Sequence, residues 1–522
     1  MTEHSIGEAL IGLLADYGVD TIFGIPGVHN VEMYRALPRS AITHILTRHE
    51  QGAGFMADGY ARATGKPGVC FTITGPGLTN ILTPLGQAWS DSSNVLVIST
   101  ALDVADSAQG RGRLHEMVNQ FASASGITSN ASRIYSGDDL QDAMARSFAG
   151  FASARPRPAY IEIPLDVLNR PVAESWTARA LPLRPQADTE LLHAAAEMLN
   201  AAKNPMLILG GGAMAAGVAA LQIATKLACP ILTTTAGKGT VPANHPLVWG
   251  YLLGQPEIQK MLQQSDCVLA VGSELSETDF WNGAFRLRDN LIRIDIDPAS
   301  LARPHVAKLA ILGDAAPSLT IIAAEVTDRS AKFEINRPQT PEDPLRQSLT
   351  KVLSVIRDSL PDETVIASDM TQIAYAANEV FPVNNPRTWL HPVGFGTLGF
   401  ALPAAIGAKF GVGEKPVVAL AGDYGLQYTI NELATAVEHG LSLPILVWNN
   451  NALGQIRDDM VMKGIQPNAV SLRNPDFQML ANAYGAAAAK PSHLRELATA
   501  IELALKTAGP TLIEMTPAMV TG

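Results

Sequence analysis

Short runs of apolar, often β-branched residues alternate along the whole chain with segments of helix length. In the first third, GVCFTIT at 68–74 is followed by LTNILTPLGQAWSD at 78–91 and then by NVLVIST at 94–100. Buried strands joined by crossover helices give this pattern, because a parallel sheet is covered on both faces. We therefore predict an α/β fold of doubly wound parallel sheets, and 522 residues suffice for about three or four domains.

Two breaks in the alternation mark linkers, namely RPQAD at 184–188 and the polar, proline-containing stretch from Thr327 to Pro344. They divide the chain into predicted domains at 1–172, 186–326 and 345–522. The strand, glycine turn, helix and strand of 68–100 recur in order at 416–450, from PVVALAGDYG to LPILVWNN. Two related domains flanking a third would produce this, although such units also recur by coincidence in doubly wound folds.

Charge and cysteine content exclude several classes of protein. The balance of 38 basic and 49 acidic residues gives a net charge of −11, which argues against a general nucleic-acid or anionic-membrane binder. Three cysteines cannot form a disulfide framework, and no CxxC pair offers a metal knuckle. Cys70 and Cys267 stand inside apolar runs and are expected in buried strands. The N-terminus shows no signal-peptide pattern, so we expect a cytoplasmic protein.

One segment has the length of a membrane span, because 22 uncharged residues lie between Lys203 and Lys226. The run breaks at Gly210-Gly211-Gly212, where we expect a strand to turn into a small-residue helix. A membrane span is the alternative interpretation.

The last third carries two polar turns after neighbouring apolar strands. Gly422-Asp423-Tyr424-Gly425 follows PVVALA, and Asn449-Asn450-Asn451 follows LPILVW. A glycine turn there can bring backbone N–H groups to a phosphate, and Asp423 and Asn450 would add two oxygen ligands suited to Mg²⁺. The alternative is an N-capping aspartate beside an asparagine-rich turn.

Glu50 lies at the start of a predicted helix among small residues, in RHEQGAG at 48–54. A carboxylic acid held in an apolar setting can exchange protons with a ligand nitrogen. The alternative is an acidic residue that only satisfies the helix dipole.

Together these segments resemble the thiamine-diphosphate enzymes of the acetohydroxyacid synthase and 2-oxo-acid decarboxylase family. The resemblance covers essentially the whole chain and is carried by IFGIPG at 22–27, RHEQGAGFMADGYAR at 48–62, GKPGVCFTITGPGLTN at 65–80, PAYIEIPLDV at 158–167 and GFGTLGFALPAAIGAK at 394–409. It implies pyrimidine-binding, middle and diphosphate-binding domains, with thiamine diphosphate and Mg²⁺ as cofactors. It also implies a homodimer at minimum and commonly a homotetramer, since one subunit's first domain faces another's last domain.

The resemblance also implies the site residues. Glu50 matches the glutamate that hydrogen-bonds the aminopyrimidine ring and promotes its imino tautomer. Asp423 and Asn450 match the Mg²⁺ ligands, with the main-chain carbonyl of Ala452 as the third. Further cofactor contacts are implied for Gly396, Leu398, Gly422, Tyr424, Gly425 and Gln372, the last in a stretch, SDMTQIAY, that matches the family less well.

Two departures from the synthases concern FAD and a histidine. The segments expected to hold FAD look altered, as in GSELSETDFW at 272–281, so we expect no FAD. His115 stands where synthases carry a glutamine facing the substrate, and it could relay a proton to the decarboxylated intermediate. The alternative is a surface histidine that precedes a helix.

A third departure is Asp459, which lies where synthases carry a tryptophan that sets substrate choice. A carboxylate there, or at Asp458, would suit a substrate with a distal cation; the alternative is a salt-bridged or solvated acidic pair. With GRGRLHEM at 110–117, this segment resembles the 2-ketoarginine (5-guanidino-2-oxopentanoate) decarboxylases.

The leading hypothesis is a decarboxylase of a small-molecule 2-oxo acid. An acetolactate-synthase-like carboligase is the alternative. A catalytically silent homologue is a third reading, against which the retention of Glu50, Asp423 and Asn450 speaks.

Overall fold

The computed structural model describes residues 4–172, 176–287, 290–329, 338 and 343–521. Much of the predicted linker from Thr327 to Pro344 lies outside these residues. The chain divides into two compact units, one of Met1–Pro182, Val365–Thr371 and Gly394–Met519, the other of Leu183–Thr364, Gln372–Val393 and Val520–Gly522. The predicted domain boundaries stay a prediction.

The first unit begins with a six-stranded parallel sheet. Its strands are, from one edge to the other, Thr43–Leu46, Thr21–Gly24, Gly68–Thr72, Val95–Ala101, Ala159–Pro164 and Asn130–Arg133. The helices are Ile6–Asp16, Val31–Tyr34, Glu50–Thr64, Pro76–Ser90, Gln120–Ser125, Gly137–Ser153 and Leu165–Leu168, with a 3₁₀ turn at Leu37–Arg39. Two short strands, His4–Ser5 and Pro171–Val172, pair antiparallel.

Local sequence fixes the ends of these helices. Ser5 and Glu8 form a reciprocal capping box at the start of Ile6–Asp16. Gly65 ends Glu50–Thr64 in the left-handed conformation, at φ 80°, which glycine adopts without strain. The sheet and its helices enclose one apolar core, in which Leu10, Phe71 and Ile98 are fully buried.

The same unit holds five strands of a second parallel sheet. In spatial order they are Val365–Ser368, Val417–Gly422, Leu443–Trp448, Pro510–Met515 and Ala487–Ala489. The accompanying helices are Ala401–Val412, Asp423–Thr429, Leu433–Glu438, Gly454–Met462, Phe477–Tyr484 and Leu494–Ala504, with a 3₁₀ turn at Ile430–Glu432, and the last helix of the chain is Ala518–Thr521. The order of these five strands repeats that of the corresponding strands in the first sheet, which confirms the internal correspondence predicted from the sequence.

Two helices of the first unit touch backbone to backbone. They are Glu50–Thr64 from the first sheet and Ala401–Val412 from the second. A Cβ atom on Gly59 would lie 2.1 Å from the carbonyl oxygen of Ala404, and one on Gly407 would lie 1.9 Å from that of Met56. Only glycine permits so close an approach at these two positions.

The second unit carries the middle sheet, also parallel and six-stranded. Its strands are, in spatial order, Val248–Gly250, Ile231–Thr233, Pro205–Leu209, Cys267–Val271, Leu291–Asp295 and Leu309–Leu312. The helices of this unit are Thr189–Ala201, Gly217–Leu227, Pro256–Gln264, Glu277–Phe280, Pro298–Ala302, Ala315–Glu325, Pro344–Asp358 and Gln372–Val380; it also holds the short strand Trp389–Leu390 and a 3₁₀ turn at Gly211–Ala213. The prediction of three parallel α/β sheets is thus confirmed.

The segment between Lys203 and Lys226 forms the strand Pro205–Leu209, a glycine turn and most of the helix Gly217–Leu227, as expected. Across the described ranges, no helix combines the length and apolar character that crossing a membrane requires. Cys70 and Cys267 are free and buried in strands, as predicted, and Cys229 is buried as well.

Candidate active site

Asp423 begins a helix at the carboxyl end of a buried strand of the third domain. The strand Val417–Gly422 runs parallel to Leu443–Trp448, and Gly422 stands opposite Trp448 in register. The two polar turns predicted from the sequence therefore lie side by side. Asp423 is 3% exposed, and Gly422 is the helix cap residue, so the carboxylate does not serve as the N-cap.

Three donors hold the Asp423 carboxylate in place. Oδ1 accepts from the N–H of Tyr424 at 2.9 Å, and Oδ2 accepts from the N–H of Asn451 at 2.9 Å and from Nδ2 of Asn474 at 2.7 Å. Burial raises the pKa of Asp423, whereas the hydrogen bonds from Asn474 and Asn451 oppose that shift. These three hydrogen bonds fix the orientation of the Asp423 carboxylate.

The neighbouring turn supplies further oxygen atoms. Asn450 Oδ1 accepts from the N–H of Ala452 at 3.1 Å, and Ala452 forms an isolated antiparallel bridge with Ser471. A carboxylate, an amide oxygen and a main-chain carbonyl form the hard, all-oxygen donor set that Mg²⁺ prefers. The residues present therefore fit Mg²⁺, and they would hold it through Asp423, Asn450 and Ala452.

Two glycines let neighbouring side chains approach this turn closely. A Cβ on Gly425 would lie 2.8 Å from Oδ2 of Asp369, and one on Gly422 would lie 2.8 Å from Oγ1 of Thr371. Tyr424 is half-buried, with its ring edge-on to Tyr428. The diphosphate contacts implied for Gly422, Tyr424 and Gly425 stay a prediction.

The loop with Gly396 and Leu398 is anchored by the first domain. Gln87 Oε1 accepts from the N–H and the hydroxyl of Thr397 at 3.1 and 2.8 Å, and Asp91 Oδ1 accepts from the N–H of Gly394 at 2.7 Å. Gly396 is exposed at φ 66°, and Leu398 is half-buried. Both can meet a ligand from a loop whose position is fixed.

Glu50 is the first residue of the helix Glu50–Thr64 and is 8% exposed. Its Oε2 accepts from Nδ2 of Asn80 at 2.9 Å. A Cβ on Gly77 would lie 3.3 Å from Oε1. Glu50 is therefore a buried acid with an oriented side chain, located at the first sheet, whereas Asp423 is located at the third domain's sheet.

His115 lies beside a second histidine that the sequence reasoning missed. The rings of His29 and His115 meet edge to face with centroids 4.8 Å apart, and the Nδ1 atom of each is buried with no hydrogen-bond partner in the described structure. Burial, and then His115, lower the pKa of His29. A Cβ on Gly75 would lie 2.6 Å from the His115 carbonyl oxygen, so the turn Gly75-Pro76-Gly77 touches His115 at one end and Glu50 at the other.

The two predicted substrate residues lie on the exposed helix Gly454–Met462. Asp458 forms an ion pair with Arg457 at 3.0 Å, as the salt-bridge alternative requires. Asp459 accepts from Nε2 of Gln455 at 3.1 Å and is half-buried. Gln372 begins the helix Gln372–Val380 in the second unit. Its contact with a diphosphate, like the roles of Asp458 and Asp459, stays a prediction.

The middle sheet has the strand order 3-2-1-4-5-6, which is typical of dinucleotide-binding folds. In its glycine turn, the N–H groups of Gly210 and Gly212 donate to the carbonyls of Val271 and Gly272, both at 2.9 Å. These two N–H groups are thus engaged by protein, which does not favour a phosphate at this turn. The absence of FAD stays a prediction.

Three models of one protein family match successive segments of the chain. The N-terminal, central and C-terminal domain models of the thiamine pyrophosphate enzymes match residues 4–123, 192–322 and 369–515. Together with the three parallel sheets, these matches show that the chain belongs to the thiamine pyrophosphate (thiamine diphosphate) enzymes.

Individual relatives extend over nearly the full chain. A probable 2-ketoarginine decarboxylase of Pseudomonas aeruginosa is 48% identical, covering 98% of this chain and 93% of that protein. Two Escherichia coli acetolactate synthase large subunits are more distant. Isozyme 1 is 34% identical over 86% of this chain and 82% of its own length, and isozyme 3 is 31% identical over 96% and 92%.

Sequence reasoning missed the residues that support the site rather than form it. His29 follows IFGIPG by two residues and offered a signal, since a polar ring beside a motif is a candidate ligand contact. Asn80 closes the quoted segment 65–80, but nothing in the sequence pairs it with Glu50. Asn474 lies 51 residues beyond Asp423, and only the folded chain brings the two together.

Proposed function

We propose that the chain catalyses the thiamine-diphosphate- and Mg²⁺-dependent decarboxylation of a 2-oxo acid. The overall reaction converts a 2-oxo carboxylate and one proton into an aldehyde and CO₂. The bound cofactor supplies a nucleophilic carbon and an electron sink for the pair released with CO₂. Glu50, oriented by Asn80, would hold and exchange the proton at the cofactor's pyrimidine, and Asp423, Asn450 and Ala452 would hold the metal.

The observation that carries the choice of decarboxylation is the His29–His115 pair. Release of an aldehyde needs a proton delivered to the former carboxyl-bearing carbon, and a histidine is the side chain best suited to deliver it near pH 7. Burial and the neighbouring His115 lower the pKa of His29, which favours its neutral form. The 48% identity with a probable 2-ketoarginine decarboxylase supports the same reaction.

The proposed substrate is 5-guanidino-2-oxopentanoate, with Asp459 facing its guanidinium. Asp459 is favoured over Asp458, whose carboxylate already pairs with Arg457. A guanidinium and a carboxylate can form a paired hydrogen bond of high specificity. The proposal also includes a homodimer at minimum and a homotetramer as the commoner assembly.

An acetolactate-synthase-like carboligase is the second candidate. The identity of 34% and 31% with two acetolactate synthases supports it, and it would use the same cofactor residues. The two candidates differ only in whether a proton or a second carbonyl compound captures the decarboxylated species.

A substrate panel separates the candidates. We would measure CO₂ release and identify products from 5-guanidino-2-oxopentanoate, an uncharged 2-oxo acid of similar length, and pyruvate. An aldehyde from the guanidino acid is the expected result. Acetolactate from pyruvate as the main product would support the carboligase instead.

Asp459→Asn tests the substrate assignment. Charged hydrogen bonds contribute about 1.5–3 kcal/mol, so the preference of kcat/KM for the guanidino acid over the neutral acid should fall about tenfold to hundredfold. Asp458→Asn is the matched control and should leave the preference within about twofold. The net charge of −11 attracts cations non-specifically, so ionic strength is held constant. An unchanged preference in Asp459→Asn would remove Asp459 from the substrate site.

A further inference from the structure

We propose that Glu432 is a positioning residue for Glu50, a carboxylate of the third domain that fixes the start of the helix carrying the proton-exchanging acid. The proposal rests on the proposed function only in assigning proton exchange to Glu50.

The Glu432 carboxylate accepts from the last two backbone N–H groups before the helix Glu50–Thr64. Arg48 N lies 3.1 Å from both Oε1 and Oε2, and His49 N lies 2.9 Å from Oε1. Glu432 is 0% exposed. A carboxylate at this end of a helix is stabilised by the helix dipole as well as by the hydrogen bonds.

The approach of Glu432 is so close that it excludes a side chain from the first turn of the helix. A Cβ on Gly52 would lie 2.1 Å from Oε1 of Glu432. The glycine lets the carboxylate lie directly against the turn that begins with Glu50. The position of the Glu432 carboxylate and the position of the start of the helix Glu50–Thr64 therefore depend on each other.

Glu432 is itself held from its own domain. Thr435 Oγ1 donates to Oε2 at 2.8 Å, and Asn431 Nδ2 donates to Oε1 at 3.2 Å. The carboxylate thus links two fixed groups, with little freedom to follow a movement of the helix. Because catalysis is sensitive to displacements of about 1 Å, losing this link should misplace Glu50 without removing it.

The chain offers a matched control on the same segment. Glu438, six residues further on, forms an ion pair with the Arg48 guanidinium, and its side chain is 48% exposed. Exposed pairs of this kind contribute little to stability. Glu438→Gln therefore changes a carboxylate that contacts Arg48 without touching the buried helix start.

The experiment measures hydrogen–deuterium exchange at C2 of bound thiamine diphosphate, by acid quench and NMR, without substrate and at saturating cofactor and Mg²⁺. We expect exchange to slow about tenfold to hundredfold in Glu432→Gln and to stay within about twofold in Glu438→Gln. In the double variant Glu50→Gln/Glu432→Gln, the rate should equal that of Glu50→Gln alone, since a positioning residue acts only through the residue it positions.

Two results would overturn the proposal: a wild-type exchange rate in Glu432→Gln, or a further slowing in the double variant beyond Glu50→Gln. A wild-type rate in Glu50→Gln would instead refute the proton-exchange role in the proposed function. If Glu432→Gln fails to fold, Thr435→Val removes one donor to the carboxylate and should slow exchange about threefold. An unchanged rate in that variant counts equally against the proposal.

Discussion

The first and third domains share a strand order, yet they place their acids at different positions. In both domains a glycine at or just after the end of the third strand caps the helix that follows: Gly75 precedes Pro76–Ser90, and Gly422 precedes Asp423–Thr429. Only the third domain has a carboxylate there. The acid of the first domain, Glu50, instead follows the preceding strand of the chain, Thr43–Leu46. Under the proposed function, one strand order would thus support two chemistries that differ in a few residues at the carboxyl edge of the sheet.

The two acids also differ in how they are held. Asp423 accepts three hydrogen bonds, from Tyr424, Asn451 and Asn474. Among the described residues, the Glu50 carboxylate accepts one side-chain hydrogen bond, from the amide of Asn80. A carboxylate held by several donors suits a fixed charge beside a metal, whereas one with a single amide partner keeps capacity to exchange a proton. The difference supports the proposed division between a metal-holding acid and a proton-exchanging acid.

Removing the third domain's acid should have the largest effect. We expect Asp423→Ala to weaken Mg²⁺ and thiamine diphosphate binding by more than about hundredfold and to abolish turnover, because the metal loses a direct ligand. Titration calorimetry with Mg²⁺ and cofactor checks this. Asp476→Asn, which alters the exposed cap of Phe477–Tyr484 in the same domain, is the control. Near-normal binding in Asp423→Ala would contradict the metal assignment.

Removing the first domain's acid should affect proton exchange alone. Glu50→Gln should slow C2-proton exchange of bound cofactor by about 10²–10⁴-fold, the usual contribution of general acid–base assistance. Its Mg²⁺ affinity should stay at the wild-type value. If Glu50→Gln weakened metal binding instead, the division between the two domains would be wrong.

Asn474 and Asn80, which donate to Asp423 and Glu50, provide a further test of the comparison. Asn474→Ala should lower Mg²⁺ affinity about tenfold to hundredfold, since groups that orient metal ligands typically contribute that much. Asn80→Ala should slow C2 exchange and leave Mg²⁺ affinity unchanged. Each variant is the other's control, and the same effect from both would show that neither amide is specific to its acid.

The smallest effect concerns pH. The third domain holds its own helix start, Ala401–Val412, through Asp369, which accepts from the N–H of Gly399 at 2.9 Å. Burial raises the pKa of Asp369 from 3.8 to about 6. The folded protein therefore binds this proton more tightly than the unfolded chain, and the free energy of unfolding falls as pH rises from about 4 to about 6.

Asp369→Asn should remove this part of the pH dependence. On going from about pH 4 to about pH 7, the change in the free energy of unfolding should be roughly 2 kcal/mol more positive in the variant than in the wild type, because the variant lacks the loss of stability caused by Asp369. Urea unfolding of both proteins at the two pH values measures it. Identical pH dependence would mean that Asp369 titrates normally in the folded chain.

The central strands could be predicted from the sequence, whereas several edge strands could not. Cys267–Val271 and Leu443–Trp448 are apolar throughout because both faces are buried. Asn130–Arg133, Leu309–Leu312 and Ala487–Ala489 were missed. Each is a partly exposed strand of three or four residues at a sheet edge, and a run that short does not distinguish a strand from a helix segment or a loop.

The residues of the candidate site also fall into a group that the sequence could predict and a group that it could not. Glu50, Asp423 and Asn450 belong to short local motifs, which a sequence displays directly. Their supports do not, because Glu432 meets Arg48 across 384 residues of chain. Contacts of that separation arise only from tertiary packing, and no local pattern encodes them.

The glycine contact between Glu50–Thr64 and Ala401–Val412 has a consequence for engineering this enzyme. Replacing a helix glycine by alanine is a common route to greater thermal stability, because it restricts the unfolded chain. At Gly59 and Gly407 the added methyl group would meet backbone at 2.1 and 1.9 Å. A stabilisation library that treated these positions like any other helix glycine would wedge the two helices apart. A screen that measured melting temperature alone would discard these variants without showing that the distance between the two helices had changed.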